Sequence, residues 1–428
     1  MSAQDLVCFS HLRWDFVYQR PNHLMARAAR DRRVFFVEEP VDEAAPTPHL
    51  RLAEHNGVTV VTPVLPSERD RERDTLTLTA LVDHLVRSQR IIRPVVWYYT
   101  PMALPWTRHL AASAAATIYD SMDYLAGFKG APAGLLDLED ELLARADVVF
   151  SGGASLHRRM AGRHASAHCF PSSVDVAHFR QARGHAIEPA EQAAIGRPRV
   201  GYAGVIDERI DLPLIDGVAA ARPNVEIVLV GPIVKIDPAT VPDRPNVHRL
   251  GMKPYADLPA YLAGWDVGWM PFARNDATRY ISPTKTPEYL AAGLPVVSTS
   301  IHDVVEPYGV GGLVAIADSV EASVAAIDAA LAGRHASTDQ VDRFLATRSW
   351  DRTWAAMAEH VEAAAAGANR GRSARRQAPR RTVQRERLRI PTTVGVAPAR
   401  LAAPVRAARS SAGAATSAPI GAGRADGE

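Results

Sequence analysis

The chain reads as α/β, built from two doubly wound parallel-sheet domains. Three observations carry this reading. Short, continuous apolar runs alternate with helical patterns, as strands buried on both faces require. The scheme runs twice, on either side of an Ala-rich, polar stretch from Gln181 to Gly196 that contains Pro189. At 428 residues, 47% of them hydrophobic, the chain is globular and too long for one ordinary core.

In the first half, apolar runs predict strands at 6–9, 34–37, 58–61, 95–99, 117–119 and 148–150. Helical patterns lie at 19–31, 75–90 and 134–146. In the second half, strands are predicted at 200–203, 225–230, 247–250, 267–270 and 296–298. Helices fall between them at 211–222, 257–264 and 285–292. A last amphipathic helix is expected over 349–366, carrying Trp350, Trp354 and Val361. From Gly367 onward the Ala, Arg, Pro, Gly and Ser content leaves too little apolar surface to fold, which predicts disorder. The expected organisation is therefore 1–180, 197–348, a helix at 349–366 and a tail at 367–428. In such sheets ligands bind outside the carboxyl ends of the strands.

The net charge of +2 conceals a division. Residues 367–428 hold 13 Arg against Glu386, Asp426 and Glu428, a balance of +10, so residues 1–366 carry −8. The tail lacks a folded motif and interleaved aromatics, so any attraction to nucleic acid is nonspecific and salt-dependent. Attraction to anionic membrane lipids and plain solvation both stay open for it. Cys8 and Cys169 each sit in an apolar run and read as buried free thiols, with neither disulfide nor metal spacing. The start lacks a basic leader, and no window holds about 18 uninterrupted apolar residues, so a cytoplasmic protein is expected.

The most informative stretch is Ile281-Ser-Pro-Thr-Lys-Thr-Pro-Glu-Tyr-Leu-Ala-Ala-Gly-Leu-Pro-Val-Val297, which follows the strand-like run at 267–270. Ser282 is expected as N-cap with Pro283 at the first helical position, where a missing N–H costs nothing. Gly293 ends the helix and Pro295 opens the next strand. A helix start leaves free N–H groups and partial positive charge, which attract phosphate. Lys285 adds a full charge there. Only four of the 49 basic residues are Lys, at 129, 235, 253 and 285; the other 45 are Arg. Glu288 lies on the same face as Thr284, one turn deeper. A diphosphate at the helix end and a ribose diol on the carboxylate fit this arrangement.

The stretch Ser282 to Val297 resembles the donor motif of GT-B-fold glycosyltransferases, in the family-4-like bacterial group often labelled "group 1". The likeness runs over roughly residues 4–366. It implies two Rossmann-like domains facing a cleft, the nucleotide-sugar donor held by the second and the acceptor by the first. It also implies that the final helix crosses back to the first domain. In that family a pair of Glu residues marks the donor site. Glu288 matches the second, which implies a ribose ligand, while Tyr280 stands where the first is expected.

Gly201-Tyr-Ala-Gly204 closes the first strand of the second half, and glycines there let backbone approach a ligand. Arg209 falls near the family's diphosphate-binding cation; pairing with Asp207, Glu208 or Asp211 is the other reading. Lys235 follows the next strand and either reaches the nucleotide or is structural. In the first half, His11 and Asp15 follow strand one, and Arg20 opens the first helix with a guanidinium suited to phosphate or carboxylate. Asp120 stands where many relatives carry a cleft His, which suggests a base for the acceptor hydroxyl. It and Asp123 otherwise cap helices. Asp175, in Pro171-Ser-Ser-Val-Asp175, matches a segment that orders the hinge. The likeness implies no metal and no cofactor beyond a nucleoside-diphosphate sugar as donor substrate. The expected activity is sugar transfer to a hydroxyl of a glycan or lipid-linked precursor. A nucleotide-sugar 2-epimerase and a non-catalytic binding protein using the basic tail are the alternatives.

Overall fold

A computed structural model of the chain describes residues 4–184 and 186–377. The first sheet comprises β1 (Leu6–Phe9), β2 (Val34–Val37), β3 (Val41–Glu43), β4 (His49–His55), β5 (Val58–Pro66), β6 (Val95–Tyr98), β7 (Ala116–Ser121), β8 (Val148–Ser151) and β9 (Ala167–Cys169). Their order is β3-β5-β2-β1-β6-β7-β8-β9, with β4 paired to β5. Every described pairing in this sheet is parallel except β4 with β5. The second sheet comprises β10 (Arg199–Ala203), β11 (Glu226–Val230), β12 (Val247–Gly251), β13 (Val267–Met270), β14 (Val296–Ser298) and β15 (Val314–Ile316). It is parallel throughout, in the order β12-β11-β10-β13-β14-β15.

The two faces of the first sheet follow from side-chain alternation. Leu6 and Cys8 of β1 join one core with Phe36, Trp97 and Phe150. Val7 and Phe9 point the other way and join Phe35, Tyr98 and Leu142. The first of these cores is closed by the helix Trp350–Gln377, through Trp350, Trp354, Met357, Val361 and Ala365 at helical spacing. Burying each of the larger side chains contributes roughly 2 kcal/mol. The last helix thus packs on the first domain.

Each sheet has a switch point. β1 lies between β2 and β6, and β10 lies between β11 and β13. The crevices beyond these strands are where ligands bind in such sheets. The two domains also touch directly. The Asp303 carboxylate accepts from the Ser155 N–H at 3.0 Å, and the Ser172 hydroxyl donates to the Ser282 carbonyl at 2.5 Å. Asp175 caps the helix Val176–Arg180 by accepting from the His178 N–H at 3.1 Å, beside the segment that joins the sheets.

Several elements differ from the sequence expectation. The antiparallel strand β4, edge strand β15 and the helices Leu104–Ser113, Ala154–Ala161, Val320–Leu331 and Thr338–Leu345 are additional. β4 is mostly exposed, so it lacks the apolar run that marks a buried strand. The final helix continues past 366 to Gln377, because its Ala and Arg residues favour helix even without apolar surface to bury. The expected disorder from Ala378 onward lies outside the described residues, as does any membrane contact of that part of the tail. Cys8 is buried and Cys169 half-buried, and both are free thiols. Among the described residues no helix is long and apolar enough to cross a membrane.

Candidate active site

The carboxyl end of β10 opens a half-buried cavity of about 350 Å³. Gly204, with φ of 155°, sits directly after β10. A Cβ at this position would overlap the Cε of Lys285, so only glycine lets the lysine lie against the strand end. Gly231, with φ of 145°, ends the neighbouring strand, and a Cβ there would overlap the Gly204 carbonyl oxygen. Two adjacent strand ends therefore present bare backbone beneath the Lys285 ammonium, which lies 5.6 Å from the Tyr202 ring centroid.

Lys285 opens the helix Lys285–Ala292, and Glu288 follows in its first turn. Thr284, Lys285 and Glu288 all line the cavity. Burial pushes the Glu288 carboxyl up to about 7, with Lys285 opposing the shift. Burial likewise lowers the Lys285 ammonium below its usual range, with Glu288 opposing. A dianionic ligand at the helix start would restore full charge to the lysine. The expected helix start is corrected here: Thr284, not Ser282, is the N-cap, and Pro283 precedes the helix. Ser282 is instead held to Ser172 of the first domain, and neither Ser282 nor Pro283 lines the cavity.

Arg209 stands between this cavity and a second one of about 470 Å³, and lines both. Its Nε and Nη2 donate to the buried Asp207 carboxylate at 2.9 and 2.7 Å. Arg209 is thus paired with Asp207, and its Nη1 has no hydrogen-bond partner among the described residues. The guanidinium also lies 5.5 Å from the Phe128 ring centroid. Lys235, with φ of 62°, lies 5.3 Å from the same ring and lines only the second cavity.

The first-domain residues separate into two groups. His11 and Asp123 line the second cavity. Burial and then Lys235 lower His11 to about 4, so its ring is neutral near pH 7. Burial raises the Asp123 carboxyl above its usual range, opposed by Arg209, Arg20 and Lys285. Asp15 lines the first cavity but is exposed, with His55 at 3.5 Å. Asp120 and Arg20 line neither. They form a buried ion pair, Arg20 Nε to Asp120 Oδ2 at 3.0 Å, and Arg20 Nη1 also donates to the Phe170 carbonyl at 2.7 Å. The expectation of Asp120 as a base and Arg20 as a cleft clamp is corrected: each neutralises the other in the core, and Asp120 has no exposed surface from which to meet a substrate. Asp123, three residues on, does line the second cavity, together with Glu39 and the Arg209-bound Asp207.

With this geometry in place, comparison with known proteins is informative. Residues 197–333 match the family model described as "Glycosyl transferases group 1". The matched span contains Gly204, Arg209, Lys235, Lys285 and Glu288. That span of the second domain is thus similar to the group 1 glycosyl transferases, and the chain as a whole has a GT-B fold. A curated relative, the putative teichuronic acid biosynthesis glycosyltransferase TuaH of Bacillus subtilis, is 26% identical over 174 residues, 38% of this chain and 43% of that protein. The chain thus matches less than half the length of that relative. Among solved structures, sucrose-phosphate synthase from Thermosynechococcus elongatus superposes with a TM-score of 0.62 at 15% identity, covering 83% of this chain and 98% of that one. The Anabaena protein HepE, in complex with UDP and glucose, gives 0.62 at 15% identity, covering 83% and 99%. An E. coli structure titled as trehalose-6-phosphate bound with UDP-2-fluoro glucose gives 0.60 at 12%, covering 84% and 99%.

The second domain also contributes a residue that the sequence pattern does not mark. Tyr255 lines the first cavity, with its ring stacked 4.5 Å from Tyr18 and 4.4 Å from His178. Its hydroxyl is buried without a hydrogen-bond partner among the described residues. Burial raises its pKa, and the nearby Glu288 carboxylate adds to the rise. Tyr255 lies in a short 3-10 turn between β12 and a helix, where no periodicity or motif singles it out.

Proposed function

We propose that the chain transfers a sugar from a nucleoside-diphosphate sugar to a hydroxyl of a saccharide or lipid-linked acceptor. The observation that carries this reading is the packing of Lys285 over the bare strand ends at Gly204 and Gly231, with Glu288 beside it in one cavity. The family match over these residues supports it. In this reading the donor's diphosphate lies against Lys285, the free N–H groups near Thr284, and Arg209 Nη1. Glu288 accepts from the ribose diol. The Tyr18–Tyr255 stack closes the same cavity.

The second cavity holds the acceptor. As the acceptor oxygen bonds to the anomeric carbon, the bond from that carbon to the phosphate oxygen breaks. The electron pair leaves with the nucleoside diphosphate. Lys285 and Arg209 stabilise the charge that develops there. The acceptor proton passes to a base; of the carboxylates lining that cavity Asp207 is held by Arg209, and Asp123, whose pKa burial raises, is the base we assign. The similarity to HepE, whose structure holds UDP and glucose, and to a putative teichuronic acid biosynthesis glycosyltransferase favours a uridine nucleotide and a cell-envelope acceptor here. A basic tail that draws the enzyme to an anionic membrane surface suits a membrane-borne acceptor.

Calorimetry with UDP, GDP, ADP and dTDP tests the donor assignment, comparing the wild type with Lys285→Ala. Tight binding of one nucleotide, weakened in the variant, is expected. Absence of binding by all four would remove the transferase reading. Donor turnover without any acceptor would favour the epimerase instead.

A further inference from the structure

A third concavity, of about 790 Å³, lies between the domains. One wall is the helix Ala154–Ala161, which presents Ser155, Arg158 and Arg159. The other is the 274–280 loop, with Arg274 and Arg279, together with His302. Tyr124 separates this groove from the cavity of its neighbour Asp123. The Tyr124 ring packs 5.2 Å from Tyr280 and 4.9 Å from the Arg159 guanidinium.

Four arginines line the groove against a single acidic residue, Asp276. Internal pairing accounts for two of them. Arg159 donates to Glu139 at 2.9 Å, and Arg274 meets the Asp318 carboxylate at 3.4 Å. Arg158 donates to the His302 ring, at 2.7 Å to Nε2, and has no carboxylate of its own among the described residues, although that ring lies 3.3 Å from Asp303. Arg279 lies over the Tyr280 ring at 5.3 Å and has no carboxylate partner among the described residues. A further observation points to a ligand. Ser155 is 5% exposed and lines the groove, yet its hydroxyl has no hydrogen-bond partner among the described residues. Its N–H is already committed to Asp303.

We propose that this groove binds an anionic saccharide, a segment of the acceptor chain bearing carboxylate or phosphate groups. The segment bridges Arg158 and Arg159 of the first domain and Arg274 and Arg279 of the second. Guanidiniums spread along a wide, open groove match charges spaced along a chain, whereas one small ion calls for a compact cage. The Ser155 hydroxyl adds a neutral partner suited to a sugar oxygen. Tyr124, next in sequence to Asp123, packs on Tyr280 and Arg159 of the groove wall, so we place the sugars that precede the reacting hydroxyl beside the arginines. Only the naming of the ligand as acceptor rests on the transferase reading.

The test is calorimetric titration of the full chain with tetragalacturonate, with maltotetraose as the neutral control and inorganic phosphate as the simple anion. Tetragalacturonate is expected to bind, more weakly as salt rises, and maltotetraose is not. The Arg158→Gln/Arg279→Gln double variant is expected to lose about tenfold in affinity per arginine, with nucleotide binding unchanged. Arg274→Glu, on an exposed side chain, provides the same readout without touching the Arg158–His302 bond. Tetragalacturonate binding that is absent, or equal in all variants, overturns the proposal. So does inorganic phosphate that binds as tightly as the saccharide, or a short RNA that binds more tightly through the same arginines. Nucleoside diphosphates titrated into the same samples read the donor site separately. Loss of saccharide binding alone counts against the groove, and loss of nucleotide binding alone counts against the transferase reading.

Discussion

Lys285 packs so closely over Gly204 that the glycine's missing side chain is the space the lysine occupies. This relationship ties a loop after β10 to the start of a helix some eighty residues later in the chain. It predicts that Gly204→Ala displaces the flexible end of Lys285 without disrupting the surrounding core. Nucleotide affinity is expected to fall by about tenfold or more, the worth of one charge-assisted contact. The backbone strain of a side chain at this φ should add a loss of about 1–3 kcal/mol in unfolding free energy. Calorimetry and thermal unfolding on the same variant check both halves. A large loss of stability with intact affinity would contradict the arrangement.

Arg20 and Asp120 predict the opposite pattern. Their ion pair is fully buried, so Asp120→Asn leaves an uncompensated guanidinium in the core, which costs about 3–5 kcal/mol. The variant should unfold at markedly lower denaturant. Replacing both residues, as in Arg20→Met/Asp120→Leu, should recover much of the loss, because well-packed apolar groups often substitute for a buried pair. If Asp120→Asn were instead stable and inactive, Asp120 would be a catalytic group after all.

The contrast between these pairs shows what was legible in the sequence. Lys285 and Glu288 stood out because helix start, glycine stop and following strand are local signals, and the cavity forms around that local geometry. Asp120 misled because its position at a strand end is also local, but its partner Arg20 comes from a helix a hundred residues earlier. Strand periodicity places a residue at the cleft end of a sheet and leaves open whether its side chain enters the cleft or the core. The same limit hid Tyr255, whose contacts with Tyr18 and His178 join three distant segments. The helix start slipped by two residues because the Ser282 carbonyl and hydroxyl are used by Ser172, an interdomain contact that no local pattern encodes.

Glu288 gives a pH prediction whose sign can be worked out. Its folded pKa, about 7, is raised above the ordinary carboxyl value of 4.5. Between those values the folded state holds more protons than the unfolded one, so this group's contribution to stability is present at low pH and lost as pH rises through about 7. Ribose binding has the reverse requirement, because the ionised carboxylate is the better acceptor. Nucleotide affinity should therefore rise with pH through the same interval, while Glu288→Gln flattens that rise. Titrations with the cognate nucleotide at several pH values on either side of 7 check this. An unchanged slope in the variant would assign the dependence to another group.

Asp123 carries the prediction closest to chemistry. It lines the second cavity beside Arg209, and burial raises its pKa, which favours proton acceptance from a hydroxyl. Asp123→Asn preserves shape and removes the basic site. Turnover is expected to fall by roughly 10²–10⁴-fold, the usual contribution of a positioned base. Nucleotide affinity should hold, since Asp123 does not line the first cavity. Because Arg209 is already held by Asp207, its guanidinium should stay in place when Asp123 loses its charge. The distinguishing readout is the pH dependence of kcat. A base at residue 123 produces an acid-side limb that disappears in Asp123→Asn. A residue that only positions Arg209 would lower the rate and leave that limb where it was.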